Sequence, residues 1–91
     1  MQFEWDPRKA EANLKKHGVS FEEAASVFRD ALAWIFDDPD HSPSEDREII
    51  VGRSFAGRLL LVSFTERDEA IRLISARQTG ARERQKYEET R

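Results

Sequence analysis

At 91 residues, 38% hydrophobic and 36% charged, the chain suits one small soluble domain over 1–91, and no apolar run approaches the ~18–20 residues of a membrane span. It has no cysteine and only two histidines, His17 and His41, which excludes disulfides, thiolate metal sites and cysteine nucleophiles and leaves no histidine-rich metal centre to expect. The net charge of −3 weighs mildly against nucleic acid, but residues 1–46 carry 5 basic and 11 acidic side chains (net −6) and residues 47–91 carry 10 basic and 7 acidic (net +3), so a local anion-binding surface is expected on an acidic protein.

In chain order, residues 2–5 alternate polar and apolar, as a short edge strand would, or form no strand at all. Asp6-Pro7 then opens a helix: Asp6 can cap the free N–H groups, and proline loses nothing at the first helical position. His17-Gly18 ends it, with glycine supplying the left-handed cap. Ser20 and Glu23 read as a capping box, with Val19 and Ala24 as its hydrophobic staple, for a second helix ending near Arg29-Asp30. The opening residues lack the basic start and apolar stretch of a secretory signal, so a cytoplasmic location is expected.

From residue 33 the period changes to two. Strands are expected at 33–36, 47–53, 58–65 and 70–77, with a Pro-, Asp- and Ser-rich loop at 37–46 that holds His41. Short turns between them imply an antiparallel four-stranded meander, and a final helix follows Thr79 or Gly80. The fold class is therefore α+β: two N-terminal helices, the sheet, and a C-terminal helix. Strict alternation over 70–77 sets Ile71, Leu73, Ser75 and Arg77 on one face, and Ala70, Arg72, Ile74 and Ala76 on the other.

Nine of the ten basic residues after position 46 are arginines. Arginine suits phosphate because its planar fork makes bidentate, charge-assisted contacts. Arg67, in the turn before the last strand, and Arg77, at that strand's end, are the leading candidates, with Arg82 beyond them. Ion pairing to Glu66, Asp68, Glu69 or Glu83 is the structural alternative. Tyr87 follows Glu83 by one helical turn, and either stacks on a base, moves a proton, or packs the last helix. His17 is most simply a helix C-terminal residue favoured by the dipole. Glycine-rich phosphate loops, a calcium loop and a basic helix-turn-helix are all absent.

The residues 3–24 (FEWDPRKAEANLKKHGVSFEEA), Gly52-Arg53, FTER at 64–67, IRLISAR at 71–77 and the E-R-x-x-Y ending at Tyr87 resemble the BrnT toxins, in that family's order over nearly the whole chain. The resemblance implies a RelE-like fold and cleavage of RNA without a cofactor or metal. It also implies neutralisation by a BrnA-like antitoxin that carries the DNA-binding domain, so that DNA is met only through the complex. By similarity Arg67 and Arg77 are active-site arginines, and Arg72, Glu83 and Tyr87 are further carry-overs; a weak general base suffices for such cleavage, with Glu83 or Tyr87 the candidate, and Arg53, Arg72 and Arg82 are expected to contact RNA. The competing reading is a non-catalytic module that binds a protein or nucleic acid.

Overall fold

The computed structural model describes residues 1–39 and 46–89. Its elements are β1 (Gln2–Glu4), α1 (Pro7–His17), α2 (Phe21–Ser26) continuing into a 3-10 turn (Val27–Arg29), β2 (Trp34–Asp37), β3 (Arg47–Arg53), β4 (Leu59–Arg67), β5 (Ala70–Gln78) and α3 (Ala81–Glu89). The expected meander is present as β2–β3–β4–β5, antiparallel throughout. To it β1 adds a fifth strand at the edge, parallel to β5, giving the order β1-β5-β4-β3-β2. A three-residue strand is too short to show a period, which is why 2–5 left its presence open. Most of the acidic loop after β2, including His41, lies outside the described residues. No helix among the described residues is long and apolar enough to cross a membrane.

The caps form as the sequence dictates, with one exception. Asp6 accepts from the Arg8 N–H at 2.8 Å, and Gly18, at φ +69°, closes α1 with its N–H on the Leu14 carbonyl. Ser20 accepts from the Glu23 N–H at 3.0 Å. The return half of that capping box is missing, because Glu23 turns into the protein. Its carboxylate accepts from Ser54 Oγ at 2.6 Å and from Arg58 Nε at 2.9 Å, while Arg58 also donates to the Gly18 carbonyl. One buried carboxylate thus links α2 to the β3–β4 turn, and its arginine partner links that turn to the end of α1.

The sheet has a core on each face. Ile50, Leu60, Val62, Phe64, Leu73 and Ala76 pack against Val19, Phe21, Ala24 and Val27. On the other face Val51 and Leu59 pack with Tyr87 of α3, beside Phe36, Ile49 and Leu61. Gly52 allows the chain after α2 to lie against β3: a Cβ there would sit 3.0 Å from Ala33 Cβ and Val27 Cγ1.

Two features of β5 position the site. Phe64 pairs with Leu73 and Ser63 with Ser75, so Ile74 has no partner across β4 and forms a bulge. Beyond the end of β1, Asn13 of α1 takes over as the partner of β5: its Nδ2 donates to the Ala76 carbonyl at 2.9 Å and its Oδ1 accepts the Ala76 N–H at 3.0 Å. α1 therefore covers the outer edge of β5, which would otherwise be an open pairing surface.

Candidate active site

The bulge corrects the expected faces of β5. Before it Ile71 and Leu73 point to the α2 side; after it Ala76 does. Arg72 pairs with Thr65 and Arg77 with Leu61, and Leu61 and Thr65 lie on one face of β4. Arg72 and Arg77 therefore share the α3 face, where strict alternation had set them apart. Arg47 pairs with Thr65, Arg53 with Leu59, and Arg67 alternates with Thr65 on β4, so all five of these arginines belong to this face. An arginine-bearing sheet face on a chain of net charge −3 is the asymmetry that the two halves of the sequence announced.

The predicted residues fall into two groups. Arg67 and Arg72 line one cavity together with Lys9, Thr65, Asp46 and Glu66, and Arg72 also pairs with Glu4 of β1 at 2.8 Å. Arg77, Glu83, Tyr87 and Arg53 gather where α3 crosses the sheet. Arg77 pairs with Glu83 at 3.3 Å and donates to the Gln78 carbonyl. Neither Arg67 nor Arg77 pairs with Glu66 or Asp68 among the described residues. Arg67 does not reach the phosphate that Arg77 would hold: Arg67 faces Ala70, and the seven residues from there to Arg77 span roughly 23 Å of strand. Arg82 is exposed on α3.

Glu83 and Tyr87 are poorly suited to the proton-accepting role expected of them. The Glu83 carboxylate caps α3 through the Gly80 N–H at 2.6 Å. That bond and the Arg77 guanidinium hold its pKa below the ordinary glutamate value, which makes it a weaker base. Tyr87 is buried at 1% exposure, and its hydroxyl donates to Asp30 Oδ2 at 2.6 Å. The same oxygen accepts the Arg53 N–H at 2.8 Å, and Oδ1 accepts the Leu32 N–H. Arg53 also lies over the Tyr87 ring, 5.9 Å from its centre, and Lys86 lies 4.9 Å from the centre of the Trp34 ring. Tyr87 is thus the anchor of α3, and Glu83 is the residue that orients Arg77.

The sequence did not single out Asp30, Asn13 or the basic residues of α1 for this site. Asp30 read as a helix end, and Lys9 and Lys16 drew no reading of their own. Their only signal was spacing: Lys9, Asn13 and Lys16 recur at i, i+4 and i+7, one stripe of α1, and Asn13 turns that stripe toward β5.

Residues 5–83 match the family described as the ribonuclease toxin BrnT of type II toxin–antitoxin systems. Among solved structures, the chain is similar to the 1.1 Å crystal structure of the Brucella abortus ribonuclease toxin BrnT, with 25% sequence identity, 88% of this chain and 97% of that chain covered, and a TM-score of 0.69. A search of curated protein sequences finds no match.

Proposed function

Because the chain belongs to the family of BrnT ribonuclease toxins of type II toxin–antitoxin systems, we propose that it cuts RNA on the arginine face of its RelE-like sheet, without a metal ion, as a single cytoplasmic toxin domain. The observation that carries this reading is the placement of Arg72 and Arg77 on one face of the sheet, with Arg47, Arg53 and Arg67 on the same face.

RNA brings its own nucleophile, the 2′-hydroxyl, so the protein has to align that oxygen with the neighbouring phosphate and stabilise the charge that builds up as the bond forms. Fixed guanidinium groups meet the second need without a Lewis acid. Arg77 has the better-defined orientation, since Glu83 and the Gln78 carbonyl fix its fork, and it is assigned to the scissile phosphate. Arg72 lies five residues away along β5, roughly 15 Å, and so holds a different phosphate of the same strand. Arg67, Arg53 and Arg82 are assigned to more distant RNA contacts. A type II toxin has a cognate antitoxin; here a BrnA-like protein is proposed, contributing the only DNA contact of the pair.

The test is cleavage of free RNA by the purified chain in excess EDTA, wild type against Arg77→Ala. Cutting that survives EDTA and falls about 100- to 1000-fold in the variant is the expected result. Loss of cutting in EDTA, restored by a divalent cation, would refute metal independence.

A further inference from the structure

Cleavage by the 2′-hydroxyl requires a group that takes its proton, and neither Glu83 nor Tyr87 is placed to do so. Along the edge of β5 the arginine face is bordered by α1, which carries another titratable group. One cavity, about 380 Å³, includes Lys9, Thr65, Arg67, Arg72 and Ile74 in its lining. Another, about 230 Å³, includes Lys9, Lys16, His17, Ile74 and Ser75. Lys9 and Ile74 are common to both, so the two form one groove along the outer edge of β5. Ser75 pairs with Ser63, which alternates with Leu61 and Thr65, so the groove opens on the same face as Arg72 and Arg77. α1 forms its wall because Asn13 fixes the helix against Ala76, which leaves Lys9 and Lys16, on the same stripe of α1, exposed beside the groove.

His17 closes this wall one turn beyond Asn13. It is half-buried, its ring makes no hydrogen bond among the described residues, and it is the one histidine among them. Imidazole is the side chain whose ordinary proton equilibrium lies nearest neutrality. We infer that α1 is the second wall of the RNA site, with Lys9 and Lys16 holding backbone phosphates and His17 taking the proton from the attacking 2′-oxygen; this rests on the ribonuclease reading above. In that step the 2′-oxygen forms its bond to phosphorus as its proton passes to the imidazole. The bond from phosphorus to the 5′-oxygen breaks with its electron pair on that oxygen, which takes a proton from water. The products are a 2′,3′-cyclic phosphate and a 5′-hydroxyl, and the imidazolium returns its proton to solvent.

The experiment compares wild type, His17→Ala, the double variant Lys9→Glu/Lys16→Glu, and Lys15→Glu. Lys15→Glu is a control that makes the same change of charge per substitution, half that of the double variant, on the same helix but outside the groove, where Lys15 pairs with Glu11. Each is measured for single-turnover cutting of a short single-stranded RNA and for binding of the uncleavable 2′-O-methyl RNA of the same sequence. His17→Ala should slow cutting by about 10²- to 10⁴-fold, bind the 2′-O-methyl RNA as wild type does, and regain rate as imidazole is added. The double variant should lose at least about tenfold in binding, and Lys15→Glu should lose none. Wild-type cutting by His17→Ala, or a slow rate that imidazole does not raise, would overturn the role of His17. Unchanged binding by the double variant would overturn the α1 wall. If wild type binds the RNA through Lys9 and Lys16 but never cuts it, the ribonuclease reading fails and the role of His17 with it, while the binding wall stands.

Discussion

Three donors converge on the Asp30 carboxylate: the Leu32 and Arg53 N–H groups and the Tyr87 hydroxyl. They come from the loop before β2, from β3 and from α3, so this side chain fixes where the last helix crosses the sheet. Tyr87→Phe removes one donor and leaves the ring in its packing. It should lower stability by about 1–2 kcal/mol in urea unfolding. The cleavage rate per folded molecule should stay at the wild-type level, because the hydroxyl faces Asp30. A large fall in rate with unchanged stability would return Tyr87 to the chemistry. Glu83→Gln tests the complementary point. The neutral amide still accepts the Gly80 N–H but orients Arg77 less firmly, so cutting should slow, by less than in Arg77→Ala, and added general bases should not restore it. Ser63 is a simpler case: its hydroxyl is buried with no hydrogen-bond partner among the described residues. Ser63→Ala should match or exceed wild-type stability, by up to about 1 kcal/mol, in the same unfolding measurement.

Individual elements differ in how far their sequences specify them. α1 and α2 were legible because Asp6, Gly18 and Ser20 each carry a local hydrogen-bonding reason for an end. β3 was read with its observed bounds, since a Pro-, Asp- and Ser-rich loop precedes its apolar run and the Ser54–Gly57 turn follows it. What escaped the sequence depends on distant partners. The Ile74 bulge shows no local mark: no glycine or proline interrupts IRLISAR, and only the pairing with β4 reveals the extra residue. That slip decides the site, because it turns Arg77 to the face of Arg72. The capping box was half right for the same kind of reason, with Arg58 and Ser54 offering Glu23 stronger partners than its own helix end. The β4–β5 turn was drawn too wide: only Asp68 and Glu69 lie in it, at φ +47° and +71°. Positive φ at both central residues of a two-residue hairpin favours Asn-Gly, so a glutamate there is strained. Glu69→Gly should raise stability by about 1 kcal/mol, read as a higher unfolding midpoint. A lower midpoint would mean that the turn is not limited by backbone strain.

Across the whole molecule, a net charge of −3 should repel RNA while one face attracts it, and ionic strength separates the two effects. Binding to single strands through Z phosphate contacts releases counterions, so the logarithm of the affinity falls against the logarithm of salt with a slope near −0.7Z. Arg72 and Arg77 alone give a slope of about −1.4, adding Lys9 and Lys16 takes it to about −3, and each phosphate held by Arg53, Arg67 or Arg82 steepens it by about a further 0.7. Acidic residues elsewhere on the surface are screened beyond roughly 10 Å at 0.1 M salt, so they depress binding at low salt without removing the dependence at higher salt. The measurement is a titration of 2′-O-methyl RNA against wild type and Lys9→Glu/Lys16→Glu at several salt concentrations. A wild-type slope of about −3 or steeper that becomes shallower by about 1.4 in the double variant would count the phosphates held by each wall of the groove. A slope near zero for wild type would mean that the arginines stay committed to partners such as Glu4 and Glu83 when RNA is present. The face would then recognise bases or protein, as a non-catalytic module does, and the antitoxin would be the first ligand to try on it.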